Sequence, residues 1–120
     1  NKHLTAVGIG NIGLIHERQG KYDEAMELYV KDLELTEELG DKQGESIALG
    51  FIGQLLNIQG DFHRAIEYMQ KALMLCEELG YQKGLAKAVN TLGDIFYFCR
   101  IIIRRDETIF LRDGIRFLLF

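Results

Sequence analysis

The sequence has no proline and no tryptophan, and only two cysteines and three histidines among its 120 residues. Without proline, nothing removes a backbone donor or wedges a kink into a helix, so long helices can run uninterrupted. Cys76 and Cys99 stand in no CxxC or other metal spacing, which argues against a cysteine zinc site and a disulfide framework. They read as ordinary buried thiols in a reducing compartment. His3, His16 and His63 are not spaced to share a metal with each other or with a cysteine. No apolar run is long enough to cross a bilayer and no signal peptide is visible, so a cytoplasmic protein with no membrane contact is expected. The chain begins at Asn1 without an initiator Met, so a fragment or processed chain is expected, with any upstream signal lying outside it. Positive charge is also scarce. The formal net charge of -4 argues against a nucleic-acid or anionic-membrane surface, which needs clustered Lys and Arg.

What the sequence does have is an internal repeat. The stretch Gln19–Gly40, QGKYDEAMELYVKDLELTEELG, returns as QGDFHRAIEYMQKALMLCEELG over Gln59–Gly80, at a constant offset of 40 residues. Gly20/Gly60, Ala25/Ala65, Glu27/Glu67, Lys31/Lys71, Leu33/Leu73 and Leu35/Leu75 are unchanged, as is the closing EELG. A fixed period of this length is the mark of a stacked repeat protein.

The apolar residues inside each unit recur at helical steps. Leu4, Val7, Ile9, Ile12 and Ile15 predict an amphipathic helix over Leu4–Gln19, and Ala25, Leu28, Tyr29, Leu33, Leu35 and Leu39 predict a second that ends at Gly40. Gly20 and Gly40 are residues that can take the left-handed conformation in which helices commonly stop, and Asp41 is a cap for the third helix. The same grammar predicts helices over Ile47–Gln59 and Phe62–Leu79, and a fifth over Gln82–Cys99. Short connectors between long helices imply antiparallel hairpins stacked side by side. The fold class is therefore all-α, a helical-hairpin repeat solenoid. Its units are 4–40, 44–80 and the first helix of a third, 82–99.

These residues resemble the tetratricopeptide repeat, a helix-turn-helix unit with small residues where its two helices approach. The resemblance assigns Gly13, Gly53 and Gly93 to the small site late in the first helix, Gly20 and Gly60 to the turn, and Ala25 and Ala65 to the second small site. Tyr22 and Phe62 match the aromatic after the turn. The unit departs from the usual length of about 34 residues, and Glu37 and Glu77 replace the usual closing Pro. It is similar to the longer variant of bacterial signalling and regulatory proteins. Asp32 stands where the family prefers the Ala that Ala72 supplies.

The tail breaks the pattern. The body to Cys99 has 9 Lys and Arg against 15 acids, whereas RIIIRRDETIFLRDGIRFLLF from Arg100 has 5 Arg against 3 acids. Residues 100–120 are either a degenerate second helix that caps the array or a non-homologous end. Its apolar runs Ile101–Ile103 and Phe117–Phe120 must be covered or will promote association.

Gly8, Gly10 and Gly13 spell GxGxxG, a dinucleotide-binding fingerprint, with Asp32 or Glu34 near the spacing of a ribose ligand. That leaves a nucleotide-binding enzyme fragment as a remote alternative. The repeat counters it: the same sites read Ala48, Gly50, Gly53 and then Ala88, Asn90, Gly93, so small residues here track packing. The carboxylate pairs Glu37/Glu38 and Glu77/Glu78 end equivalent helices and read as a solvated face. No catalytic set, metal site or cofactor is assigned, and no enzyme is expected.

By the resemblance, the functional surface is the concave face lined by the first helix of each unit. It would carry Gly10, Asn11, Leu14 and Glu17, then Gly50, Phe51, Gln54 and Asn57, then Lys87, Asn90, Asp94 and Tyr97. Asn and Gln side chains there can hydrogen-bond a peptide backbone, and Phe51 and Tyr97 offer apolar anchors. The expected function is protein or peptide binding, as the scaffold or sensor segment of a larger regulatory protein. A structural spacer within a longer solenoid is the alternative. Self-association through exposed array ends or the apolar tail is a further expectation.

Overall fold

Every twentieth residue from Gly20 to Gly80 turns the chain. Gly20, Gly40, Gly60 and Gly80 have φ of 77°, 67°, 83° and 66°, the left-handed region that an L side chain enters only with strain. At each corner the residue after the glycine returns its N–H to a carbonyl five positions back: Lys21 to His16, Asp41 to Thr36, Asp61 to Leu56 and Tyr81 to Cys76, at 2.9–3.0 Å. That bond satisfies carbonyls the helix end would leave orphaned. Gly60→Ala should therefore cost about 1 kcal/mol. A melting midpoint equal to wild type would show that this corner tolerates a Cβ.

The computed structural model describes residues 1–105. Between the corners run five helices: α1 (Lys2–Arg18), α2 (Tyr22–Leu39), α3 (Lys42–Ile58), α4 (Phe62–Leu79) and α5 (Gln82–Arg105). Two differ from the expectation. Helix α3 starts at Lys42 rather than Ile47, because the Asp41 carboxylate accepts the Gly44 N–H at 3.0 Å and holds the first turn despite its Gly. Helix α5, expected to close at Cys99, runs on to Arg105. No Gly or Pro lies between Gly93 and Arg105 to stop it. The rest of the tail, Phe117–Phe120 included, lies outside the described residues.

Helices pack mainly on their chain neighbours, α1 on α2, α2 on α3, α3 on α4 and α4 on α5. Tyr29 and Ala25 fill the first hairpin, and Ile52, Leu55, Ala65 and Met69 fill the second. Each large aliphatic side chain buried there contributes roughly 2–3 kcal/mol. Ala88, Ile95 and Cys99 carry the core into α5.

The small residues make this approach possible. A Cβ on Gly13 would stand 2.6 Å from Tyr29 Cε1, and one on Gly53 would stand 2.6 Å from Met69 Sδ and 3.3 Å from the Ala65 carbonyl oxygen. Gly93 is different. It is exposed, and a Cβ there would meet nothing within 4 Å, so the assignment of Gly93 to close packing does not hold among the described residues. The physical reason is that no described helix comes after α5 to pack against it.

The GxGxxG glycines lie inside α1, not at a strand-to-helix turn, and the described residues form helices only. The fingerprint needs the turn because its backbone N–H groups must be free to meet a pyrophosphate. In α1 the N–H groups of Gly8, Gly10 and Gly13 lie within the helical ladder.

At the open face of α1, Leu4, Ile12 and Ile15 are exposed, whereas Ile52 and Leu55, the 40-residue equivalents of the last two, are fully buried. Helix α2 covers α3, and no described helix covers α1 in the same way.

Candidate functional site

Two grooves open on the side formed by α1, α3 and α5, and they repeat with the sequence. The first lies between α1 and α3, with α2 as its floor, and holds about 500 Å³. The second lies between α3 and α5, with α4 as its floor, and holds about 340 Å³. Every residue lining the first has its 40-residue equivalent lining the second. Position for position, Asp32 becomes Ala72, Thr36 becomes Cys76, Asp41 becomes Tyr81, Gln43 becomes Lys83 and Ile47 becomes Lys87. The geometry is repeated and the chemistry is not. The first groove is acidic and polar; the second is basic, with an apolar floor.

Phe51 and Ile47 line both grooves and so form the wall between them. The Phe51 ring stacks on Tyr29 with centroids 5.2 Å apart, and the Lys87 ammonium lies 5.4 Å from its centroid. Tyr29 is fully buried and donates its hydroxyl to Glu17 Oε1 at 3.0 Å. Burial first, then the Glu17 charge, holds the tyrosine hydroxyl far above its usual range.

Asp32 is the unusual group. It is only 5% exposed, yet it lines the first groove. Among the described residues its carboxylate accepts no hydrogen bond, and the charge that acts on it is Asp41, of like sign. Burial, then that repulsion, raises its pKa to about 6. Space for it is made by Gly10: a Cβ there would stand 2.7 Å from Asp32 Oδ2. Across the repeat, Ala72 is also buried, and among the described residues a Cβ on Gly50 meets nothing within 4 Å.

Of the expected face residues, Gly10, Asn11, Gly50, Phe51, Gln54 and Lys87 line the grooves. Leu14, Glu17, Asn57, Asn90, Asp94 and Tyr97 do not line either one. Leu14 packs on the core cluster and Glu17 holds the Tyr29 hydroxyl. Asn57 Oδ1 is buried with no hydrogen-bond partner among the described residues. Asn90 and Asp94 are exposed on α5, and Tyr97 rests edge-on against Phe98 at 5.9 Å. The groove floors, Asp32 and Thr36 from α2 and Ala72 and Cys76 from α4, are not among the expected face residues. The signal for the first was present in the sequence, since Asp32 breaks the small-residue pattern that Ala72 keeps.

Cys76 and Cys99 are free and buried, and burial raises the Cys99 thiol to about 11, which makes it inert. No helix among the described residues is long and apolar enough to cross a membrane.

A family model described as tetratricopeptide repeat matches residues 4–78. The chain belongs to the tetratricopeptide repeat family. Its helical-hairpin repeats superpose on the TPR domain of Arabidopsis FLU with a TM-score of 0.66 and 24% sequence identity, covering 90% of this chain and 99% of that one. At that identity the likeness speaks for the fold. Among curated proteins, none matches this tetratricopeptide repeat chain. The family match ends within α4, so α5 belongs to the array through its packing on α4 rather than through the family pattern.

Proposed function

We propose that the chain binds an extended peptide segment of a partner protein across the α1–α3 and α3–α5 grooves, as an interaction module of a larger regulatory protein in the cytoplasm. Tetratricopeptide repeats are in general protein-binding modules rather than enzymes. One observation carries the reading further. The positions that pack the hairpins, Gly13/Gly53, Ala25/Ala65 and Leu33/Leu73, are identical between repeats, while groove positions differ in charge. A spacer needs only the packing positions. Sensor and scaffold roles both use such a face.

Phe51 is the residue to test, because it borders both grooves. Phe51→Ala should abolish or weaken at least tenfold the binding of peptides selected from a random displayed library, with far-UV circular dichroism unchanged. Undiminished binding would place the ligand elsewhere. NAD titrated into the same protein should give no saturable heat; a saturable isotherm would restore the nucleotide alternative.

A further inference from the structure

At the equivalent floor position of the second groove the chain has a small apolar residue: Ala72 of α4, 2% exposed, packs without a polar obligation. Asp32 replaces it with an acid that gains nothing from the protein. No donor among the described residues reaches its carboxylate, and its charged neighbour Asp41 repels it. Asp41 itself is engaged as the cap of α3, accepting the Gly44 N–H at 3.0 Å. A buried acid with no protein partner is costly, and one that opens into a groove is placed to take a partner from outside.

The groove fits such a partner. Its volume of about 500 Å³ exceeds that of its neighbour, and Gly10 removes the side chain that would otherwise cover the carboxylate. Val7 and Ile47 flank the approach and can pack against an aliphatic stem, while Gln43 and Asn11 offer amide oxygens at the sides. Apolar walls leading to a buried carboxylate suit the long stem and charged head of lysine or arginine. The adjacent groove is unsuited to it, because Lys83 and Lys87 line that side.

We infer that the α1–α3 groove is a specificity subsite for a lysine or arginine side chain of the bound peptide, whose cationic head pairs with Asp32. This rests on the proposed peptide binding and names the ligand class of one of its two grooves. Gly10 and Asp32 form one device, in which the missing Cβ of α1 gives access to the acid of α2.

The test uses the full 120-residue chain and a phage-displayed library of random dodecapeptides. Selected peptides should share a recurring Lys or Arg. Replacing it by Gln should weaken binding at least tenfold on wild type and less than twofold on Asp32→Ala, by calorimetry. Asp32→Asn keeps the shape and should behave as Asp32→Ala does. Selected peptides without a fixed cation, an equal loss on wild type and Asp32→Ala, or full binding by Asp32→Asn would each overturn the subsite. In those three outcomes a loss on Phe51→Ala would leave the groove reading standing. Peptides indifferent to both Asp32→Ala and Phe51→Ala, or no selected peptide at all, would overturn the two together.

Discussion

Asp32→Ala should make the protein more stable, by about 1–2 kcal/mol at pH 7, an increase of roughly 5–10 °C in melting midpoint. The carboxylate is 5% exposed and has a pKa of about 6 in the fold, raised first by burial and then by Asp41. A group whose folded pKa lies above its unfolded value binds more protons in the folded state between the two. Its favourable contribution is complete below about pH 4, declines as pH rises through about 6, and is gone at neutrality. The wild-type protein should therefore lose stability relative to Asp32→Ala over that window. Differential scanning calorimetry at pH 4 and pH 7 reads both effects. The full pKa displacement sets an upper limit of about 3 kcal/mol; access of the carboxylate to groove water reduces it. A variant less stable than wild type at pH 7, or an equal difference at both pH values, would mean that Asp32 has a partner that compensates its burial.

Gly13→Leu should act in the opposite direction, destabilising by about 3 kcal/mol. A Cβ on Gly13 already falls 2.6 and 2.8 Å from two atoms of the Tyr29 ring. That ring cannot retreat, since it is fully buried, tied through its hydroxyl to Glu17 and stacked on Phe51. Overpacking of a rigid site costs about 1–3 kcal/mol, and a branched side chain lies at or above the top of that range. Gly8→Ala is the control: a Cβ there meets nothing within 4 Å, so the better helix former should stabilise by about 0.5–1 kcal/mol. Urea melts of the two variants should move to opposite sides of wild type. A Gly13→Leu midpoint at or above that of wild type would show that α1 and α2 can separate without loss.

The helices and their corners were legible because both depend on local sequence. Three- and four-residue apolar spacing marks a helix face, and a glycine at a left-handed corner has few substitutes. Helix α3 starts at Lys42 rather than Ile47: Gln43 and Gly44 look like a connector, whereas one hydrogen bond to Asp41 decides the matter. The grooves were only half legible. Asn11, Phe51 and Gln54 follow from the resemblance, which assigns a face to the first helix of each unit, but Asp32, Cys76 and Lys83 enter only when α1, α2 and α3, or their equivalents, are placed at their true separations. Periodicity assigns each residue to a side of its own helix. It does not say that a residue turned toward the core can be uncovered by a glycine on the neighbouring helix, as Gly10 uncovers Asp32.

Because the helices touch mainly their neighbours in the chain, free energy is not shared evenly along the array. The strain of the buried acid falls on the first hairpin and its contact with α3, while the second hairpin, with Ala72 at the same place, is spared it. The first hairpin thus bears a local cost that the second does not. On the proposed reading, a cation paired with Asp32 would offset that cost in the first hairpin alone, and the rest of the array would not feel it.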